Sequence, residues 1–316
     1  MPEPMPEPMS QPMPGPMPGP MPGPVPAAPV ADVIHDIGYR HYQGPRLGRG
    51  YATRSLYTLT LRGSFGLGRS IRSKILPMGL LALMCVPALI IVAVAVYLKS
   101  AKLPLEYERY LMIMDFVIAV FVASQAPVAL SRDLRFMTVP LYFSRPITAG
   151  DYVRAKFGAM FTAMFVLTGL PLLIMWIGSL LASMSFGYNL EHFCYGLVAA
   201  ALYSLLYSSI ATVIASATPR RGFGVAGIIM VLLISAGISS VLYFVINGHD
   251  NSAAAYWANV ISPSGLVDSS VTWMFGLPTT GAVGVPSALG GCVFVAEIAA
   301  VSAAAYGLLV QRYRKI

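Results

Sequence analysis

Charge is what this chain has least of. Only 11% of its 316 residues are Asp, Glu, Lys or Arg, against 56% hydrophobic residues, and the mean hydropathy is +0.69. That balance excludes an ordinary soluble domain and implies a membrane protein. Several apolar runs exceed the about 18 residues needed to cross a bilayer, so helical spans are expected rather than a barrel, whose strands would alternate. Cysteine is also scarce. Cys85, Cys194 and Cys292 fall in or beside different spans with no CxxC or Cys/His grouping, which excludes a disulfide framework and indicates no metal site. They are read as small, buried apolar residues.

Catalytic signatures are missing as well. There is no HExxH, no pair of acid/base carboxylates and no phosphate-transfer signature. The stretch from Gly63 to Ser70, GSFGLGRS, matches the spacing of a phosphate-binding loop with Arg69 in place of the lysine. Such a loop needs a strand-loop-helix setting within an α/β domain, and too few residues precede the first apolar run to build one. An intramembrane protease would use Ser264 and His249 as nucleophile and base, but both fall outside the spans, fifteen residues apart, with nothing to align them. The net charge of +8 does not call for nucleic acid, because the basic residues flank apolar runs, where topology and anionic lipid account for them.

What is present divides into three parts. Residues 1–39 are a Pro/Met-rich tail, 1–29 repeating MPEP- and MPGP-like tetrapeptides too dense in proline for helix or sheet, and they are expected to be disordered. Residues 40–74 carry eight Arg/Lys interleaved with Tyr51, Leu56, Tyr57, Leu59, Leu61, Phe65, Leu67 and Ile71, which suits an amphipathic helix lying on the cytoplasmic leaflet. Residues 75–316 hold six spans, at about 75–98, 110–130, 157–181, 192–217, 225–246 and 287–310. With both ends inside, eighteen of the 21 Arg/Lys face the cytoplasm and three face out, as the positive-inside rule requires. The segment 247–286 has no Arg or Lys, and its apolar pieces, broken at Pro263 and Pro278, are too short to cross; Tyr256 and Trp257 suit re-entrant or surface helices.

The chain is organised around the twenty-six residues from Ser131 to Lys156, which carry five Arg/Lys against two Asp and so face the cytoplasm. Leu134, Met137 and Leu141 stand at helical spacing, which predicts a short helix with one apolar side, broken at Pro146. Thr148, three residues before Asp151, predicts a capped start to the next helix.

The run Ser144-Arg145-Pro146-Ile147-Thr148, followed by Asp151-Tyr152-Val153 and Lys156 and preceded by the acidic Asp133, resembles the permease subunits of type-two ATP-binding cassette (ABC) exporters. The spacing of apolar runs agrees with that family from about Thr53 to Ile316. The resemblance implies an all-α fold of six transmembrane helices with an amphipathic elbow helix before the first, and an extracellular re-entrant hairpin between the fifth and sixth. It implies that 131–156 holds the coupling helix that docks on a separate ATPase, with Asp133, Leu134, Met137, Leu141, Arg145, Pro146 and Asp151 as the coupling residues. It implies a pathway formed with a second permease copy or homologue in the plasma membrane. ATP and magnesium belong to the partner ATPase, and this chain binds no cofactor of its own.

Two carboxylates, Asp115 and Glu297, lie inside spans, where ionisable groups suggest function by default. A substrate contact, a proton relay and a hydrogen-bonded interface all fit them. Ser204, Ser208 and Thr212, continued by Ser216, recur at every fourth residue of the fourth span, a pattern that serves either close helix packing or a polar path. The rival function is a proton-coupled secondary transporter, although no inverted repeat or paired broken helices mark one.

Overall fold

Six apolar runs form six long helices, and the stretches between them form short ones. The computed structural model describes residues 44, 47–144, 147–248 and 252–315. The tail expected over 1–39 lies outside them, as do Arg145, Pro146 and His249.

The basic stretch supplies α1 (Arg49–Ser64), and the first apolar run α2 (Ile71–Tyr97), which continues through Pro77 and Pro87. The second run is divided. A break at Met114 (φ −89°, ψ 6°) separates α3 (Tyr107–Ile113) from α4 (Asp115–Ala129). Then come α5 (Ser131–Arg135), α6 (Val139–Phe143), α7 (Ala149–Leu181), α8 (Phe186–Ala217) and α9 (Arg221–Asn247). Short elements follow: α10 (Ser252–Ala255), a 3-10 turn over Tyr256–Ile261, and α11 (Pro263–Phe275). The last helix is α12 (Ala288–Arg314). Among the described residues the only β-type pairing joins Thr280 to Val283 within a turn. Among the described residues six segments are long and apolar enough to cross a bilayer: α2, Asp115–Arg135 (α4 with α5), α7, α8, α9 and α12. The chain is an all-helical, multi-pass membrane protein.

The centre and the periphery differ in what they cover. Of its apolar window, the α4–α5 segment buries 72% and α8 56%, but α2, α9 and α12 only 22% each. The latter three therefore turn broad apolar faces outward, including Leu89, Ile90, Val241, Phe244 and Leu289. Such faces would be an aggregation liability in water and suit a bilayer. Cys194 and Cys292 also face outward and only Cys85 is half-buried, so the expectation of three buried cysteines is corrected. A thiol is apolar enough to sit against lipid as readily as in a core.

Helix α7 has 33 residues, about 50 Å at 1.5 Å per residue, against an apolar layer of about 30 Å. It is longer than that layer, and its first turns carry Asp151, Arg154 and Lys156. Along this end lies α1, with Leu56 buried and the Tyr57 hydroxyl donating to Thr162 Oγ1 at 2.8 Å. At the other end α2 crosses α7 at Gly178, where a Cβ would come within 2.4 Å of Val92.

The α1–α2 turn contains GSFGLGRS. It is entered from a helix, not from the strand a phosphate-binding loop requires, and its glycines serve the turn. Gly66 has φ +68°, and a Cβ there would lie 2.5 Å from the Ser73 carbonyl oxygen.

The segment between α9 and α12 is a packed unit. Buried Asn259 donates to Ser269 Oγ and to the Ala282 carbonyl, both at 2.8 Å, and the Tyr243 hydroxyl donates to the Gly281 carbonyl at 2.7 Å. Leu266, Val267 and Val271 of α11 are buried, and α11 packs on α12 and α8.

Candidate functional site at the 131–156 junction

The junction is two short helices, not one. After α5 the chain turns at Met137, whose φ is +51°, and resumes as α6 with Pro140 in its first turn. The helical spacing of Leu134, Met137 and Leu141 is therefore not the register of a single helix. Thr138 closes the turn, its backbone N–H and hydroxyl both donating to the Asp133 carbonyl at 3.0 and 3.2 Å. Leu134 packs half-buried against the core, whereas Met137 is 73% exposed, Leu141 67% and the intervening Phe136 62%. The lost helix thus leaves an outward apolar patch of Phe136, Met137 and Leu141, flanked by Arg132 and Arg135.

Asp133 holds the junction to the long helices. Its Oδ2 accepts from the Tyr152 hydroxyl at 2.8 Å and pairs with Lys156 Nζ at 2.7 Å. Lys156 also donates to the Ala129 carbonyl at 2.9 Å, and the Ser131 hydroxyl donates to Ala215 at the end of α8. The side chain of Lys156 is 7% exposed and that of Asp133 16%, so the pair lies largely out of water. Tyr152 is fully buried and gathers Tyr142 and Phe143 of α6 and Tyr313 of α12 at centroid distances of 5.8, 6.1 and 4.8 Å. Through this one ring α6, α7 and α12 share a contact.

The capped start of α7 forms as its sequence predicts. Thr148 Oγ1 accepts from the Asp151 N–H at 3.4 Å, and Asp151 Oδ2 accepts from the Thr148 N–H at 3.1 Å, a reciprocal capping box. The same carboxylate accepts from Arg49 Nε, and a terminal nitrogen of Arg49 donates to Thr148 Oγ1 at 2.9 Å. The hydrogen bond and charge of Asp151 raise the pKa of Arg49, which stays protonated. Beside the Asp133–Lys156 pair lies a cavity of about 260 Å³ lined by Ser64, Arg69, Arg132, Asp133, Tyr142 and Lys156. Partial loss of water, with Arg132 and Arg221 nearby, holds the Arg69 guanidinium below its ordinary pKa.

Of the residues singled out in this stretch, Asp133 and Asp151 are gripped within the chain, Leu134 anchors, and Met137 and Leu141 project. Arg145 and Pro146 lie outside the described residues. Sequence reasoning missed Arg49 and Tyr313 as partners, and had Tyr152 and Lys156 only as parts of a motif. Every inner Arg or Lys reads equally well as topology control.

Inside the bundle, Tyr207 donates to Asp115 and Tyr203 to Asp268, the latter at 2.7 Å. Both tyrosines are buried. Ser204, Ser208 and Thr212 are fully buried, and their hydroxyls donate to the carbonyls four residues back at 2.6, 2.5 and 2.6 Å. Their small size serves close approach by the neighbours of α8. Glu297 is half-buried on α12, with no ion-pair partner among the described residues. Ser264 Oγ sits 3.0 Å from Ser262 Oγ at the start of α11, and His249 lies outside the described residues.

This geometry belongs to a multi-pass helical membrane protein whose inter-helix junction is clamped by ion pairs and capped by an exposed apolar patch. No protein-family model matches the sequence, and no curated protein is similar enough to count as a relative.

Proposed function

We propose that this chain is the permease subunit of an ABC exporter, forming the substrate pathway with a second permease copy and driven by a separate ATPase that docks on 131–156. The observation that carries this reading is the junction itself. Phe136, Met137 and Leu141 are exposed where the long helices end, on a segment fixed to α7 and α8 through Asp133, Lys156 and Ser131. An exposed apolar patch marks a contact with a protein or with the membrane; here it is read as the ATPase contact, and its stiff attachment would let a push on the patch move the spans. ATP and magnesium stay on the ATPase, and this chain performs no chemistry. The protein resides in the plasma membrane with both ends in the cytoplasm, and 247–286 shapes the outer exit. The outward apolar faces of α2, α9 and α12 offer room for the second copy.

One observation favours the rival. Two carboxylates within the bundle, Asp115 and Asp268, each accept from a buried tyrosine, which is the kind of group a proton-coupled transporter protonates in turn. Purified chain in proteoliposomes separates the two: export that needs the ATPase and ATP supports the permease, and transport driven by a pH gradient with no ATPase supports the rival.

A further inference from the structure

Helix α3 opens with an acidic pair. Glu106 is its N-cap residue, in extended conformation, and Glu108 lies in its first turn. Because α3 packs on the start of α8, both meet His192 there. One donor atom from each of the three side chains lies within 4.8 Å of the other two. His192 Nδ1 is 3.2 Å from Glu108 Oε1. Ligand bonds of about 2.0–2.1 Å in a tetrahedral zinc site place neighbouring donors about 3.3 Å apart, so this separation suits ligation as well as a hydrogen bond.

Glu108 is also left incompletely paired in the interior. Glu108 is 5% exposed, and its Oε2 has no hydrogen-bond partner among the described residues. A buried carboxylate oxygen left unpaired is costly. The neighbouring Arg109 does not relieve it, because its Nε turns to Glu106 Oε2 at 3.4 Å; the Tyr188 hydroxyl likewise donates to Glu106, at 3.3 Å. Among the described residues Glu108 forms an ion pair with His192 alone, and Lys102 Nζ lies over the Tyr188 ring at 4.1 Å.

We infer that Glu106, Glu108 and His192 bind a divalent transition-metal ion, zinc before others, that staples the entry of α3 to the start of α8. An imidazole with two carboxylates suits zinc, whereas calcium and magnesium demand six or more oxygens in total. Glu108 also lines a cavity of about 230 Å³ between α3 and α11, on which neither Glu106 nor His192 borders.

The test uses the full chain purified in detergent, its affinity tag removed, stripped with chelator, exposed to zinc, calcium or magnesium and desalted, with metal content read by mass spectrometry. The inference expects one zinc per chain, a raised unfolding temperature with zinc, and neither effect with calcium or magnesium. Glu108→Gln and His192→Gln should each weaken zinc binding at least about 10-fold. His192→Cys, which restores a zinc ligand, should recover it and thereby separate lost ligation from misfolding. Wild-type chain that retains no more zinc than a chelator-treated control overturns the inference, as does unchanged binding in Glu108→Gln.

Discussion

Arg49, the first residue of α1, donates through Nε to Oδ2 of Asp151 in the first turn of α7, across 102 residues of sequence. The acceptor is already the acidic half of a capping box. The contact therefore joins α1 to the point where the junction becomes a long helix. Asp151 is 7% exposed and Arg49 56%, so the carboxylate depends on this partner more than the guanidinium does.

Losing either partner should loosen α1 without preventing insertion. Arg49→Ala and Asp151→Ala are each expected to speed backbone hydrogen exchange over 49–64 while membrane yield stays at the parental level. The charge swap Arg49→Asp with Asp151→Arg should recover part of the protection. Exchange over 49–64 that is unchanged in both single variants would show that α1 is held by packing alone.

Breaking the inner pair should cost more. Asp133→Ala leaves the Lys156 ammonium largely buried with only the Ala129 carbonyl, and removing one partner of a buried pair typically destabilises by about 3–5 kcal/mol. Thermal unfolding in detergent should show that loss for Asp133→Ala and for Lys156→Ala. Asp133→Leu combined with Lys156→Met should lose much less than the sum of the single changes, because neither charge is stranded. Additive losses would contradict the coupling.

Sidedness follows from the charge pattern and can be read directly. In a chain with Cys85, Cys194 and Cys292 replaced by serine, a cysteine at Leu141 should react with an impermeant reagent only from the cytoplasmic side. A cysteine at the exposed Thr280 should react only from outside. Labelling of both from one side overturns the proposed topology.

How much of this could be read beforehand follows a physical division. Six long apolar helices were legible because span length and hydropathy are properties of contiguous sequence, and the Thr148–Asp151 cap was legible because a capping box is complete within four residues. The turn at Met137 was not. Methionine carries no signal for a left-handed backbone, and apolar periodicity ran unbroken through it. Partners across long separations were equally hidden. Arg49 is one of eight basic residues between Arg40 and Lys74, and nothing local marks it as the partner of Asp151. Glu106, Glu108 and His192 escaped notice for the same reason, since the histidine stands 84 positions after the glutamate at 108. The α8 stripe was legible as a face of small hydroxyls. Its hydroxyls' return to their own helix carbonyls is a matter of side-chain rotamer that spacing does not determine.

The central claim is that an ATPase docks on the exposed patch of the junction, and capture of that subunit tests it most directly. Tagged chain solubilised gently from its native membrane should bring down a subunit with ATP-hydrolysing activity, and Leu141→Glu, which places a charge in the patch without touching Asp133 or Lys156, should abolish the capture at an unchanged level of inserted chain. If no ATPase accompanies the parental chain, or if the Leu141→Glu chain retains it in full, the junction is not a coupling element and the permease reading fails.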